Sequence, residues 1–446
     1  MEISKELQQQ AENYLVGGVS AGWNAFPVTG PIRFKKAQQA YLYDVEDNKY
    51  IDWTVGWGSL MLGHNPDILK ESLLKAFDIG FGFQSETEYH IQLAQTICAL
   101  VPCAEKVRLA NSGLEATLYA IRLAREYTGK NKIIKFEGHF HGLHDYLLYD
   151  IDTSPQLGEV MPNGDIQSIP GSSGIPKVID ELLVTLPFND LTAFEEAVQR
   201  HEKDLAGVIL EPIALNMGCV KPAADFIKGL REITKEKNIV LIFDEIMTGF
   251  RANLGGAQLD LGVIPDLACL GKALGCGFPI AALAGKKEIM QRLSPVGSVQ
   301  MSGTNSGRVL AVIGSLAALQ ALQRPGFYEH VNQLNDYFIS HCSELMSQYR
   351  IPGYVDGYGG RIGIFFGLEE KPKDLRHIVK AWNKNFHKAC YTEIVKRKRL
   401  FGFLLPLPNC PEPVTLSGVH THNDIDETLN LLEDVFKITV PKHSFT

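Results

Sequence analysis

Between residues 132 and 284 the chain alternates short β-rich runs, most of them wholly apolar, with longer stretches whose apolar residues recur at helical spacing. The runs 133–136, 208–210, 239–243, 267–270 and 280–283 read as strands, and 223–237 reads as a helix between two of them. Strands that alternate with helices predict βα units around a parallel sheet. A strand without a polar face is covered on both sides, and the ligands of such sheets sit beyond the strands' carboxyl ends. Glu211, Asp244 and Lys272 all fall at such ends.

Two stretches depart from this rhythm. Residues 150–176 carry Ser154-Pro155, Pro162-Asn-Gly164 and Pro170-Gly-Ser-Ser-Gly-Ile-Pro176, with neither helical nor strand periodicity. A structureless loop of that length in a compact domain is usually functional, and it is read as a mobile lid. After Gln323-Arg-Pro-Gly326 the pattern predicts helices over 327–348 and 378–395, a strand over 361–366, and a last helix from Asn423. Asn423 is the expected cap of that helix, whose Ile425, Leu429, Leu432 and Phe436 share one face. This end of the chain is expected to be a smaller C-terminal domain.

At 446 residues the chain exceeds one hydrophobic core, so a main domain with a smaller partner is expected. With 45% hydrophobic and 21% charged residues, and no apolar run near the roughly 18 residues that span a bilayer, it reads as soluble. The net charge of −8 offers no basic face to a polyanion, and the most basic run, Lys396-Arg-Lys-Arg399, reads as the end of a helix. Neither nucleic acid nor membrane is an expected partner. No apolar signal core opens the chain and its eight cysteines include no Cys-x-x-Cys pair, so the cytoplasm, with free thiols, is the expected location.

The candidate chemistry lies in three runs. Asn111-Ser-Gly-Leu-Glu-Ala-Thr117 precedes a helix with Leu114, Leu118 and Ile121 on one face, which puts unpaired backbone N–H groups at a helix start. Such a start attracts phosphate, although a plain Ser cap would leave the same trace. Asp244 closes Ile239-Val-Leu-Ile-Phe-Asp244, and Lys272 lies in Leu270-Gly-Lys-Ala-Leu-Gly-Cys-Gly-Phe-Pro279. Pyridoxal 5'-phosphate (PLP) needs a lysine that binds its aldehyde and an acid that keeps its ring nitrogen protonated. Taken alone, Asp244 is a strand-end residue and Lys272 a surface lysine; downstream of a phosphate loop, in this order, they point to PLP. In Phe136-Glu-Gly-His-Phe-His-Gly-Leu-His144, Phe140 is expected to stack on one ring face, with Ile246 packing the other and His141 hydrogen-bonding beside the cofactor. His139, His141 and His144 do not meet a zinc spacing, so no metal is expected.

With these residues the sequence resembles the class III (subgroup II) PLP-dependent aminotransferases, and among them the glutamate-1-semialdehyde 2,1-aminomutases. The similarity runs nearly end to end, through Gly17-Gly-Val19, Tyr43-Asp-Val-Glu-Asp-Asn48, Gly56-Trp-Gly58, Glu211-Pro212, Asn216-Met-Gly218, Phe243-Asp-Glu-Ile-Met-Thr-Gly-Phe-Arg251 and Gly303-Thr304. The resemblance implies fold type I, an α/β architecture whose large domain holds a mainly parallel seven-stranded sheet and whose smaller α+β domain is built from both termini. On that reading residues 1–65 pack with the small domain, 66–322 form the PLP-binding domain and 323–446 the C-terminal small domain. It also implies a homodimer with shared active sites. Carried over by position, Lys272 is the Schiff-base lysine and Asp244 the partner of the ring nitrogen. Ser112, Gly113 and Leu114 stand at the phosphate, Phe140 and His141 at the ring, Asn216 near the phenolic oxygen, and Thr304 at the neighbouring subunit's phosphate. Trp57, Asn24 and Glu412 take the substrate positions, and 150–176 matches the family's gating loop.

Three positions depart from that pattern. Leu114 stands where the family usually has Thr or Ser, Phe140 where it commonly has Tyr, and Asn24 where the aminomutases place an arginine for the substrate carboxylate. An amide does not replace a bidentate guanidinium. The expected activity is therefore ping-pong transfer of an amino group between a donor and a keto or aldehyde acceptor, at a carbon remote from a free α-carboxylate. The aminomutase reaction, the same chemistry within one molecule, is the alternative, and a catalytically idle PLP-binding relative is a second one.

Overall fold

The computed structural model describes residues 2–25, 32–80, 82–83 and 85–443. Three strands come first, β1 (Phe34–Gln38), β2 (Tyr41–Asp44) and β3 (Lys49–Asp52). Seven more follow: β4 (Lys106–Ala110), β5 (Lys132–Phe136), β6 (Leu183–Leu186), β7 (Leu205–Leu210), β8 (Val240–Glu245), β9 (Leu267–Leu270) and β10 (Ala281–Gly285). These seven form one sheet in the order β4-β10-β9-β8-β7-β5-β6; β5 to β9 are parallel, and β10 runs antiparallel to both its neighbours. Every residue of β6 to β10 is buried, as strands with no polar face require.

The helix Gly113–Thr128 covers one face of this sheet. It starts where the Ser112 hydroxyl accepts the Glu115 N–H and stops at Gly129, whose left-handed backbone ends a helix at little steric cost. Its buried stripe, including Ala116, Ala120, Ile121 and Ala124, packs with Ile133, Ile209 and Ile242. Truncating Ile121 to alanine would cost about 2–5 kcal/mol. On the opposite face Phe136, Phe188 and Phe226 meet edge against face, with Phe194 tilted against Phe136. The two layers fix β5, β7, β8 and β9 side by side, so that the residues at their carboxyl ends share one rim.

The remaining strands are β11 (Gly353–Tyr358), β12 (Arg361–Phe366), β13 (Leu400–Phe401) and β14 (Val414–Thr415). β11, β12 and β14 form a small sheet, while β13 joins β3 in parallel, so the chain's two ends share one sheet. They also share a core. Ile51 and Trp53 pack with Phe338, Phe366, Phe403 and Leu432, and the Trp53 indole donates to Thr428 Oγ1 at 3.2 Å.

Arg251 stitches these parts together. Fully buried, it donates from Nε to Met247 O, from Nη1 to Gly359 O and from Nη2 to Gly58 O, reaching the large domain, the C-terminal strands and the N-terminal segment. Burial and the nearby Arg361 pull its guanidinium down to about 9.

Two expected elements are corrected. The helix over 378–395 is two helices, Leu375–Ala381 and Lys384–Arg397, because the Asn383 side chain accepts the Phe386 N–H and starts a new one. The last helix is His422–Thr439, capped by Thr421 and not by Asn423: Thr421 and Asp424 exchange hydrogen bonds in a capping box. The basic run 396–399 does lie at a helix end. No helix among the described residues is long and apolar enough to cross a membrane.

Candidate active site

A cavity of about 580 Å³ opens beyond the carboxyl ends of the central strands. Its floor comes from three turns. Asp244 is held at the end of β8, where its Oδ1 accepts the Ile246 N–H at 3.1 Å. Lys272 follows β9 and carries a left-handed backbone (φ 41°), a strained state for a side chain with a Cβ, of the kind that rigid functional sites retain. Between them Ile246 lies so close that a Cβ on Gly113 or on Gly271 would meet its Cδ1 at 3.0 Å. Ile246 thus packs directly on the backbone at both glycines and turns an apolar surface to the cavity.

The start of the helix Gly113–Thr128 faces the same space, with Asn111, Ser112, Gly113 and Leu114 in the cavity wall. Its unpaired N–H groups and the positive end of its dipole suit a phosphate. Ser112 is also the plain cap, its hydroxyl accepting the Glu115 N–H. Glu211, at the end of β7, accepts N–H groups from Phe140, Leu215 and Asn216 at 2.9, 3.1 and 3.3 Å, which fixes the loop that brings Phe140 to the cavity wall. Burial pushes its carboxyl up to about 7 against those bonds.

His141 Nδ1 lies 2.8 Å from Asp244 Oδ2. Burial, and then the Lys135 charge, hold the imidazole well below its usual range, so it is neutral and donates its Nδ1–H to the carboxylate. Its other nitrogen, Nε2, is buried without a partner among the described residues. Burial pushes Asp244 up to about 7, while the Ile246 N–H and Lys272 pull it down. Burial, and then Arg361, bring the Lys272 amine down to about 8; Glu211, Asp244 and Glu412 oppose them. Asp244 and Lys272 are therefore tuned toward each other across neutral pH. The apolar lining at Ile246 and Phe140, the anion-seeking helix start and a carboxylate steadied by histidine fit PLP, a flat ring with a phosphate at one end and a basic nitrogen at the other.

The three histidines have separate partners. His139 Nδ1 accepts the Glu211 N–H at 3.0 Å and His144 Nε2 faces Thr117 Oγ1 at 3.3 Å. No group of three or more metal-ligating side chains converges among the described residues.

Of the residues singled out from the sequence, Lys272, Asp244, Ser112, Gly113, Leu114, Phe140, His141, Asn216, Ile246, Trp57 and Glu412 line the cavity. Asn24 does not. It lies in a short helical turn, its amide 3.3 Å from Ser20 Oγ, and faces a neighbouring cavity that Trp57 separates from the first. Thr304 is exposed and outside its own chain's cavity. The lining residues that were not expected include Trp23, Asp152 and Arg361. Arg361 heads β12, where an arginine before an otherwise apolar strand was the available signal. Its Nη2 pairs with Glu412 Oε1 at 2.6 Å, and Nη1 donates to Thr415 Oγ1 at 2.8 Å. The cavity thus contains a guanidinium after all, supplied by the C-terminal segment and already engaged by a carboxylate.

The loop 150–176 is fastened at several points. Arg376 forks both oxygens of Glu137 at 2.8 Å and donates to Gly158 O at 2.6 Å, while Asn409 donates to Ser154 O at 2.8 Å. Its first residues thereby form part of the cavity wall.

Comparison with known proteins places the chain. Residues 26–394 match the family described as Aminotransferase class-III. The chain is 40% identical over 446 residues to a glutamate-1-semialdehyde 2,1-aminomutase of Persephonella marina, covering 98% of this chain and 99% of the relative. It is 42% identical over 388 residues to one from Polynucleobacter asymbioticus, covering 85% and 88%. Among solved structures an ω-transaminase from Sphaerobacter thermophilus superposes with a TM-score of 0.89 at 27% identity, covering 98% of both chains. With the seven-stranded sheet, the lysine and aspartate at its rim and the match along most of its length, the chain belongs to the class III aminotransferase family.

Proposed function

We propose that the protein relocates an amino group within one substrate molecule, as a glutamate-1-semialdehyde 2,1-aminomutase, with PLP as its cofactor. The observation that carries this reading is the 40% identity to an aminomutase over 98% of the chain. The fastened loop 150–176 is in keeping with it, since a reaction whose intermediate must not escape needs a closed site.

Bound here, PLP would supply an aldehyde that condenses with amines and a ring that draws electrons from the adjacent carbon. The side chains have the following parts. Backbone N–H groups at Ser112 and Gly113 hold the phosphate. Ile246 and Phe140, which both line the cavity, would pack the ring. Asp244, steadied by His141, would accept the hydrogen bond of the ring nitrogen and keep it charged. Lys272 Nζ would bind the cofactor's aldehyde and, as a free amine, would give and take protons; an amine near 8 is partly neutral at physiological pH and suited to both. Glu412 presents a carboxylate to the substrate, with Arg361 holding its other side.

The proposed assembly is a homodimer with shared sites, in the cytoplasm. Thr304 lies outside its own cavity, and Leu74, Phe77 and Ile91 are exposed apolar residues that a second copy would cover.

Transfer between two molecules is the second reading. Asn24, in place of an arginine and outside the cavity, favours it, as does the fold shared with an ω-transaminase. The purified enzyme given glutamate 1-semialdehyde alone separates the two. Formation of 5-aminolevulinate without added keto acid supports relocation; no product until a keto acid is added, with amino-group exchange into that acid, overturns it. A wild-type protein that takes up no PLP would overturn both.

A further inference from the structure

Phe140 and His141 reach the cavity on a tripeptide whose backbone is held by three side chains from three parts of the fold. Lys135, on β5, donates to His139 O at 3.4 Å; Glu211, beyond β7, accepts the Phe140 N–H at 2.9 Å; and Thr117, on the helix Gly113–Thr128, donates from Oγ1 to His141 O at 2.7 Å. All three are buried. The third contact is the one that bears on the chemistry, because it grips the residue whose imidazole meets Asp244.

A threonine inside a helix ordinarily returns its hydroxyl proton to a carbonyl of the preceding turn. Thr117 has that option in Leu114 O, at 3.1 Å, but a hydroxyl has one proton and His141 O is nearer. On its other side the same oxygen faces His144 Nε2 at 3.3 Å. Burial above all brings His144 down to about 3, so its ring carries a single proton. On Nε2 that proton meets Thr117; on Nδ1, which has no partner among the described residues, it would be a buried donor left unmet. The hydrogen bonds therefore run one way, from His144 to Thr117, from Thr117 to His141 O, and from His141 Nδ1 to Asp244 Oδ2 at 2.8 Å. Although Thr117 reaches the cavity wall, its hydroxyl proton is spent in this chain and is not offered to a phosphate.

Resting on the reading of Asp244 as the partner of the PLP ring nitrogen, we infer that Thr117 is a positioning residue: its hydroxyl fixes His141 so that the imidazole aims the Asp244 carboxylate at that nitrogen. One helix then serves both ends of the cofactor, with N–H groups at its start for the phosphate and, a turn further on, a hydroxyl that acts through His141 on the ring.

The test binds PLP and its deaza analogue, in which carbon replaces the ring nitrogen, to the cofactor-free chain by equilibrium dialysis. Both carry the phosphate and the aldehyde, and only PLP can use Asp244. The wild type should prefer PLP by about tenfold or more. Thr117→Val keeps the shape without the hydroxyl and should cut that preference about fivefold, through weaker binding of PLP with the analogue's affinity unchanged. Thr117→Ser should restore the wild-type ratio, and Thr117→Ala gives the same reading as valine should the valine chain not fold. Equal losses for both cofactors would make Thr117 a phosphate contact or part of the frame and overturn the inference, as would a preference left intact in Thr117→Val. A wild type without the preference would instead take Asp244 away from the ring nitrogen, and the inference would fall with that reading.

Discussion

Nδ1 of His141 lies 2.8 Å from Oδ2 of Asp244, and both side chains are buried. A neutral histidine in that position does not neutralise the aspartate; it fixes the carboxylate's direction and leaves its charge for the group beyond it. The reactive end of the site is therefore set by a pair of residues 103 positions apart in sequence.

Asp244→Asn should keep the fold and the His141 contact while removing that charge. Turnover is expected to fall at least about 100-fold, the scale at which one preorganised electrostatic group contributes, with the cofactor still bound. Initial rates and the bound-cofactor absorbance check it; a variant with more than a tenth of wild-type activity would remove Asp244 from its role.

Lys272 sets a pH dependence. A lowered amine is neutral at lower pH than an ordinary lysine, so attachment of PLP to the apoprotein should rise about tenfold per pH unit below 8 and level off above it. Stopped-flow absorbance from pH 6 to 10 gives the profile. A break near the ordinary lysine value would contradict the shift, and Lys272→Ala should form no covalent adduct by mass spectrometry.

Leu114 puts an apolar side chain at the helix start that faces the cavity. Leu114→Thr adds a hydroxyl there and should tighten PLP by about 1 kcal/mol, or roughly fivefold in Kd. Equilibrium dialysis against the free cofactor measures it, and unchanged or weaker retention would place Leu114 away from the phosphate.

Arg376 is the fastener of the loop. Arg376→Ala leaves the buried Glu137 carboxyl, already pushed up to about 7 by burial, without its fork. Destabilisation of about 2 kcal/mol in urea is expected, together with faster proteolytic cutting within 155–175. Unchanged cutting would mean that the loop is held without the arginine.

Asn24→Ala should leave kcat/KM within about twofold, as exposed positions usually do. A loss of tenfold or more, measured with the substrate that turns over, would bring Asn24 back into substrate binding.

The middle of the central sheet was legible because 208–210, 239–243 and 267–270 are unbroken apolar runs closed by a polar or glycine residue, while 106–110 and 183–186, with Lys106, Arg108 and Thr185 among their residues, gave no such run. The break at Trp382–Asn383 was harder, since both halves keep an apolar stripe and only the cap at Asn383 separates them. Thr421 and Asn423 are both good caps, and the reciprocal bonds with Asp424 decide between them. Lys272 and Asp244 carry their chemistry within their own runs. Arg361, Glu412 and Asp152 do not, because their shared cavity exists only once β12, the segment before β14 and the start of the loop meet. The inference from Asn24, that a positive anchor is missing, was incomplete for the same reason: a distant arginine enters the cavity by folding.

Arg251 bears on how this chain tolerates being cut. Deleting residues 1–60 or ending the chain before 359 would strip a carbonyl from a cation with no route to water. Neither half is then a viable product of truncation or of a recombination crossover in between. Swaps with relatives should succeed only when Gly58, Arg251 and Gly359 travel together.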